Sequence, residues 1–290
     1  MEQNKNQVKN KANFNWFPGH MKKASIKVDE LKKNLDFIIM VLDARVPESS
    51  YNTFLFDTIS NKPKLIIFTK CDLADDKLTS KWIEYYKNKG YWTIKLDFHS
   101  SNKKKIIINE LSNVVKEKRE KNLRRGIKNS LFKGIVLGIP NVGKSTLINT
   151  LAGKNIVKAA DTPGVTRNIN WIKVTNEFYI YDTPGILQPH FENKDIASKL
   201  ALIGSIRQDI LPLEELTNYL LDFLKEHNKH TLDDYLKIDS NIPNIEILNH
   251  IAKNNVGLLK DGVLNIDGAM KLVLNDFRDA KIGKITMDIL

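Results

Sequence analysis

GIPNVGKST, residues 138–146, decides the fold of this chain. Gly138, Gly143, Lys144 and Ser145 fall at the spacing of a phosphate loop, the apolar strand-like FKGIVLGI leads into them, and the helix-like STLINTLAG follows. Such a turn surrounds phosphate oxygens with backbone N–H groups and the N-terminus of a helix. The candidate phosphate-binding set is Asn141, Val142, Gly143, Lys144, Ser145 and Thr146. Lys144 is placed to neutralise β and γ oxygens, and the Ser145 hydroxyl to ligate Mg²⁺.

Working outward, EFYIYDTPG ends in Asp182-Thr183-Pro184-Gly185 after an apolar run. There Asp182 is expected to reach Mg²⁺ through water, and the Gly185 N–H to meet a γ-phosphate. A second DTPG string begins at Asp161, within DTPGVTR, but no strand precedes it. Asp161 is therefore read as part of a mobile loop and Thr166 as the switch hydroxyl that completes the Mg²⁺ shell. Guanine recognition needs a carboxylate that accepts from N1–H and N2–H₂, and nothing after residue 185 supplies one. Upstream, KLIIFTKCDL ends a strand in Thr69-Lys70-Cys71-Asp72. Asp72 is placed to read guanine and the Lys70 stem to lie along the base plane. A turn around Ser100 is expected to offer a backbone N–H to the guanine O6. The motif order is thus base-reading, base-supporting, phosphate loop, switch threonine and DTPG, a rearrangement that a compact domain with neighbouring termini tolerates.

With NWFPGHMKKA (15–24), VLDARVPESS (41–50), TKCDL (69–73), GIPNVGKSTLIN (138–149), DTPGVTR (161–167) and YDTPGIL (181–187), the chain resembles the circularly permuted GTPases of the RbgA/YlqF type, ribosome biogenesis GTPase A. The resemblance covers residues 14–211. It implies a GTPase, using GTP/GDP and Mg²⁺, that assists assembly of the large ribosomal subunit in contact with its rRNA and ribosomal proteins. It also implies that Asn141 helps hold K⁺. Thr69 departs from the usual asparagine and keeps a hydroxyl for the loop. DFHSSNKKK matches the base-supporting loop poorly, so only Ser100 carries over.

Ile186 and Leu187 follow Gly185, where Ras-like enzymes carry the glutamine that orients the attacking water, and Gln188 is out of register. The resemblance points instead to His20 as the catalytic group, since an imidazole can orient or polarise water. A local turn cap or an RNA contact is the competing role for His20. Asp43 and Arg45 end the strand DFIIMVL and stay outside the catalytic set, as a salt-bridged strand end or a contact to nucleotide or RNA.

Alternating strands near 36–42, 64–69, 92–96, 133–138, 170–175 and 177–182 with helices near 52–60, 78–88, 104–121 and 144–152 predict an α/β fold with a mostly parallel sheet covered on both faces. Residues 1–13 are read as a disordered tail, 14–211 as the permuted GTPase domain and 212–290 as a small all-α domain. The formal net charge is +11, and residues 212–290 hold 9 Lys/Arg against 13 Asp/Glu, so the positive excess lies in residues 1–211. Its densest run, KEKREKNLRRGIKNSLFKG at 116–134, is either an RNA contact or a solvated helix face. The resemblance implies RNA binding by the C-terminal region as well, for which Lys271, Arg278, Lys281 and Lys284 are the available basic face. A single cysteine, Cys71, excludes an intramolecular disulfide. With no apolar signal core and no membrane-length apolar run, a cytoplasmic monomer is expected. A ribosome assembly GTPase, a non-ribosomal signalling GTPase and a GTP-binding module with little turnover remain in contention. An ATP-using phosphoryl transferase leaves Asp72 without a purpose.

Overall fold

The computed structural model describes residues 19–53, 59, 61–154, 171–187, 193–207 and 211–290, with side chains from residue 25 onward. Most of the helix predicted for 52–60, the tail 1–13, Asp161, Thr166 and Gln188 lie outside the described residues.

Six strands form one sheet: β1 (Phe37–Asp43), β2 (Lys64–Thr69), β3 (Trp92–Lys95), β4 (Phe132–Leu137), β5 (Trp171–Lys173) and β6 (Phe178–Asp182). Their order is β3-β2-β1-β4-β6-β5, parallel throughout except for the antiparallel β5 at one edge. FIIMVLD and KLIIFT are buried along their whole length, as central parallel strands covered on both faces must be. Gly134 is required in β4 because a Cβ there would lie 2.0 Å from the Phe37 ring. That ring meets Phe178 edge-on, and Phe178 in turn packs on Phe132.

Helix α1 (Gly19–Leu31) precedes the sheet. Helix α2 (Asp76–Asn88) starts earlier than predicted because the Asp75 carboxylate caps it, accepting from the Leu78 N–H at 2.7 Å. The single helix predicted for 104–121 is two, α3 (Lys103–Val114) and α4 (Lys116–Arg124), which part at the buried Val115. Ile107, Leu111 and Val114 hold α3 on the core, whereas α4 (KEKREKNLR) buries nothing. A helix this charged has no apolar stripe to pack.

After α5 (Lys144–Ala152) and α6 (Lys194–Leu202), the chain continues as α7 (Leu213–His227), α8 (Lys229–Leu236), α9 (Asn244–Ile251) and α10 (Ile266–Arg278), with a π-helical turn after α9. Leu216, Leu220, Leu224, Leu232, Ile247, Val273 and Phe277 form their buried seam. The C-terminal segment then returns to the sheet domain. The Met287 N–H donates to the Arg45 carbonyl at 2.7 Å, the Thr286 hydroxyl to the Ala44 carbonyl at 3.1 Å, and Asp288 accepts from the Ser49 N–H and hydroxyl, both at 2.8 Å. No helix among the described residues is long and apolar enough to cross a membrane.

Candidate functional site

Parallel strands leave a crevice at their C-terminal ends. Here β2, β1, β4 and β6 end side by side: Asp43 pairs in register with Thr69, and Val136 with Asp182. The loops that leave these four ends carry the motifs, so segments far apart in sequence become neighbours.

On the phosphate side, Asn141 and Gly143 have φ of 60° and 92°, the left-handed turns that wind the loop onto the N-terminus of α5. Lys144 is buried, its ammonium donating to the Ile139 carbonyl at 2.6 Å, and burial pushes its pKa down to about 8 against the pull of Asp182. Burial likewise pushes Asp182 up to about 6, offset in part by Lys144. A carboxylate and an ammonium both disfavoured in their charged forms fit a site that receives polyanion and cation together. Ser145 and Thr146 open α5, half-buried and exposed respectively. Ser145 and Asp182 are hard oxygen donors of the kind Mg²⁺ takes. No group of three or more His, Cys, Asp or Glu gathers for a metal among the described residues.

Gly185 has no room for a side chain, since a Cβ would lie 2.7 Å from the Pro140 backbone. The Ile186 N–H donates to the Gly138 carbonyl at 3.3 Å, which closes DTPG onto the phosphate loop. Ile186 and Leu187 are fully buried, and the Ile186 carbonyl accepts from the Asn52 amide at 2.7 Å. These two residues are core, and water is not theirs to orient.

On the base side, the Thr69 hydroxyl lies 2.7 Å from the Val142 carbonyl and 3.0 Å from that of Leu42. The Lys70 ammonium donates to the Asn141 carbonyl at 2.7 Å. Asp72 is exposed beside them, while burial raises the thiol of neighbouring Cys71 to about 12 and keeps it inert. The Ser100 N–H is turned inward, donating to the Asp97 carbonyl at 3.3 Å, so it is spent within its own turn. That turn still borders the site through Phe98, whose ring would be 3.3 Å from a Cβ on Gly143. Neither Phe98 nor Asn52 belongs to a spaced motif, and only folding brings Phe98 to the phosphate loop and Asn52 to the DTPG turn.

The Asn141 amide donates to the Gly204 carbonyl at 2.8 Å. His20 is the second residue of α1, and its side chain, like all of Thr166, lies outside the described residues. Of the basic face expected near the C-terminus, Lys271 is exposed and the other three residues make contacts within the molecule. Arg278 donates to the Leu202 and Ala201 carbonyls at 2.7 and 2.8 Å, Lys281 pairs with Asp276 and Asp279, and Lys284 pairs with Asp76.

A parallel sheet whose strand ends bring a phosphate loop, a DTPG turn and a T-K-C-D turn together in permuted order defines a P-loop GTPase. A model of the 50S ribosome-binding GTPase family matches residues 133–250. Ribosome biogenesis GTPase A of Bacillus cereus is 41% identical over 275 residues, covering 94% of this chain and 93% of that protein. Two solved structures share the fold: GDP-bound TM YlqF, with a TM-score of 0.67 at 26% identity over 90% of this chain and 98% of that one, and GNP-bound YlqF from T. maritima, with a TM-score of 0.65 at 26% identity over 92% and 97%. The chain belongs to the ribosome biogenesis GTPase A family. It is a GTPase that acts in ribosome biogenesis.

Proposed function

We propose that this GTPase binds the immature large ribosomal subunit with GTP in place, promotes a late maturation step and leaves once GTP is hydrolysed to GDP and phosphate. One observation carries the reading: Thr69 and Lys70 reach the backbone carbonyls of Val142 and Asn141, so the base-reading turn and the phosphate cradle form one site. A nucleotide there spans both halves. Asp72 reads the guanine edge, Lys70 flanks the base, Ser100 borders it, and residues 141–146 with Gly185 hold the phosphates. Ser145 and Thr166 ligate Mg²⁺, Asp182 does so through water, and Asn141 is the K⁺ ligand.

His20 orients the attacking water, a task the buried Ile186 and Leu187 leave open. With that group on an N-terminal segment instead of the switch turn, turnover is slow alone and rises on the subunit. Helix α4, which buries no residue, and Arg125 just after it supply the rRNA contact, with Lys116, Lys121, Arg124 and Arg125 all exposed. Domains divide at residues 14–211 and 212–290, and the protein works as a cytoplasmic monomer. Measuring GTP turnover with and without purified large subunits tests the whole reading. Strong stimulation is expected. Equal rates with and without subunits defeat it, and binding to protein partners alone redirects it to signalling.

A further inference from the structure

Asp43 closes β1 and takes no part in the site as described so far, yet its surroundings are built around it. It is 0% exposed. Its carboxylate accepts from Arg45 three times, from the backbone N–H at 3.1 Å, Nε at 3.0 Å and Nη2 at 2.8 Å. A salt-bridged strand end needs nothing more. A second cation nevertheless sits on the same oxygen as Nη2: the Lys70 ammonium, 3.2 Å from Oδ2. Lys70 has a φ of 54°, a conformation that a non-glycine residue holds only when its surroundings fix it. Its ammonium is held by two acceptors, the Asp43 carboxylate and the Asn141 carbonyl. A lysine stem is otherwise free about four bonds.

We infer that Asp43 is a positioning residue for guanine-nucleotide binding: it pins the Lys70 ammonium against the phosphate loop, and so fixes both the flank of the base and the spacing between the T-K-C-D turn and the cradle. This rests on the reading of Asp72 and Lys70 as base-side residues. Arg45 alone would neutralise the carboxylate, so the second cation is explained by what Asp43 does for Lys70. The cluster keeps one surplus positive charge at the mouth of a site for polyphosphate.

The test uses the full chain, titrated with a fluorescent GDP analogue in Mg²⁺ and assayed for GTP turnover. Asp43→Asn is expected to weaken GDP binding about tenfold, the loss of one charge-assisted contact, and to raise KM for GTP alike. kcat at saturating GTP should change by less than about twofold. Lys70→Met should produce a comparable loss, and adding Asp43→Asn to it should cost less than about twofold more. A lowered melting temperature with GDP affinity intact in Asp43→Asn, or losses that multiply in the double variant, overturns the assignment. If Asp43→Asn does not fold, Asp43→Asn with Arg45→Met removes both buried charges together. It is expected to show the same weakened binding, and unchanged affinity again overturns the assignment. Asp72→Asn separates the two levels. Wild-type GDP affinity in that variant defeats the base-side reading and this proposal with it, whereas weakened binding there beside an unaffected Asp43→Asn defeats this proposal alone.

Discussion

The two halves of the nucleotide site are built on opposite principles. The phosphate side is backbone and buried charge: left-handed turns at Asn141 and Gly143, a glycine pressed on Pro140, and Lys144 and Asp182 both shielded from solvent. The base side is an exposed carboxylate, Asp72, standing next to a pinned lysine. The difference teaches where stability and specificity reside. Lys144 and Asp182 each cost the ligand-free fold on the order of 3 kcal/mol at pH 7, because burial disfavours both charged forms. In the proposed site, bound phosphate and metal would recover that cost, and affinity would be drawn from strain. Asp72 is exposed, so the base-reading role proposed for it would not draw on a buried charge.

Substitution of Lys144 by Ala breaks the comparison hardest. It should remove on the order of 3–5 kcal/mol of nucleotide binding, since the phosphates lose their buried cation, while the melting temperature of the ligand-free protein holds or rises, because Asp182 takes up a proton once its partner is gone and the burial cost of Lys144 disappears. Calorimetry and thermal melts on one preparation read both. A simultaneous loss of ligand-free stability would refute the idea that the phosphate side stores strain.

Asp72→Asn comes next. It should weaken GDP by about 3 kcal/mol and shift preference toward xanthosine diphosphate, whose C2 carbonyl accepts from the new amide. Ligand-free stability should stay within about 0.5 kcal/mol, as for other exposed positions. Competition titrations of GDP against its xanthine analogue decide the matter.

Gly185→Ala tests the seam where DTPG meets the loop. A methyl 2.7 Å from the Pro140 backbone should cost about 1–3 kcal/mol of stability and weaken GTP more than GDP, because only GTP has the phosphate that the turn faces. Equal weakening of the two nucleotides would place Gly185 away from the γ-phosphate.

The smallest effect is on pH. In the folded, ligand-free protein Asp182 releases its proton near 6, against an ordinary 3.8, so the folded chain holds more protons than the unfolded one between those values. Its contribution to stability therefore falls as pH rises from about 4 to 6. Lys144 acts in the other window, its contribution falling as pH drops from about 10.5 to 8. With Asp182 in its proposed metal-binding role, Mg²⁺ would compete with its proton, and the apparent Mg²⁺ affinity should fall by up to about tenfold per pH unit below 6. Asp182→Asn should flatten that dependence in metal titrations monitored by nucleotide fluorescence.

Much of this architecture was legible in the chain. All six strands were anticipated, since continuous apolar runs such as FIIMVLD and KLIIFT permit little else. The phosphate loop was readable from its spacing, whereas the T-K-C-D turn took on meaning only in company with the other motifs. Boundaries and partners were not. Nothing local announces the break at Val115, which reflects α4 having no face to bury, and the start of α2 depends on the Asp75 carboxylate folding back onto the Leu78 N–H. Three of the four basic residues assigned to an RNA-facing C-terminal surface, Arg278, Lys281 and Lys284, also bind within the molecule, Arg278 and Lys284 because α10 and the segment after it fold back on α6 and α2, whereas Lys271 is exposed. Charge counts along a sequence do not reveal which charges are already paired.

The amino-acid order by itself determined the phosphate cradle, the permuted succession of motifs and the α/β alternation, for these depend on backbone conformation and on apolar periodicity over a few residues. Only the tertiary structure decided that Thr69 and Lys70 touch the loop of residues 141–142, that Ile186 is core, and that Asp43 holds Lys70. Those are contacts across strand ends, and their geometry follows from the order β2-β1-β4-β6 in the sheet, which hydrogen bonding between distant segments sets and local sequence does not encode.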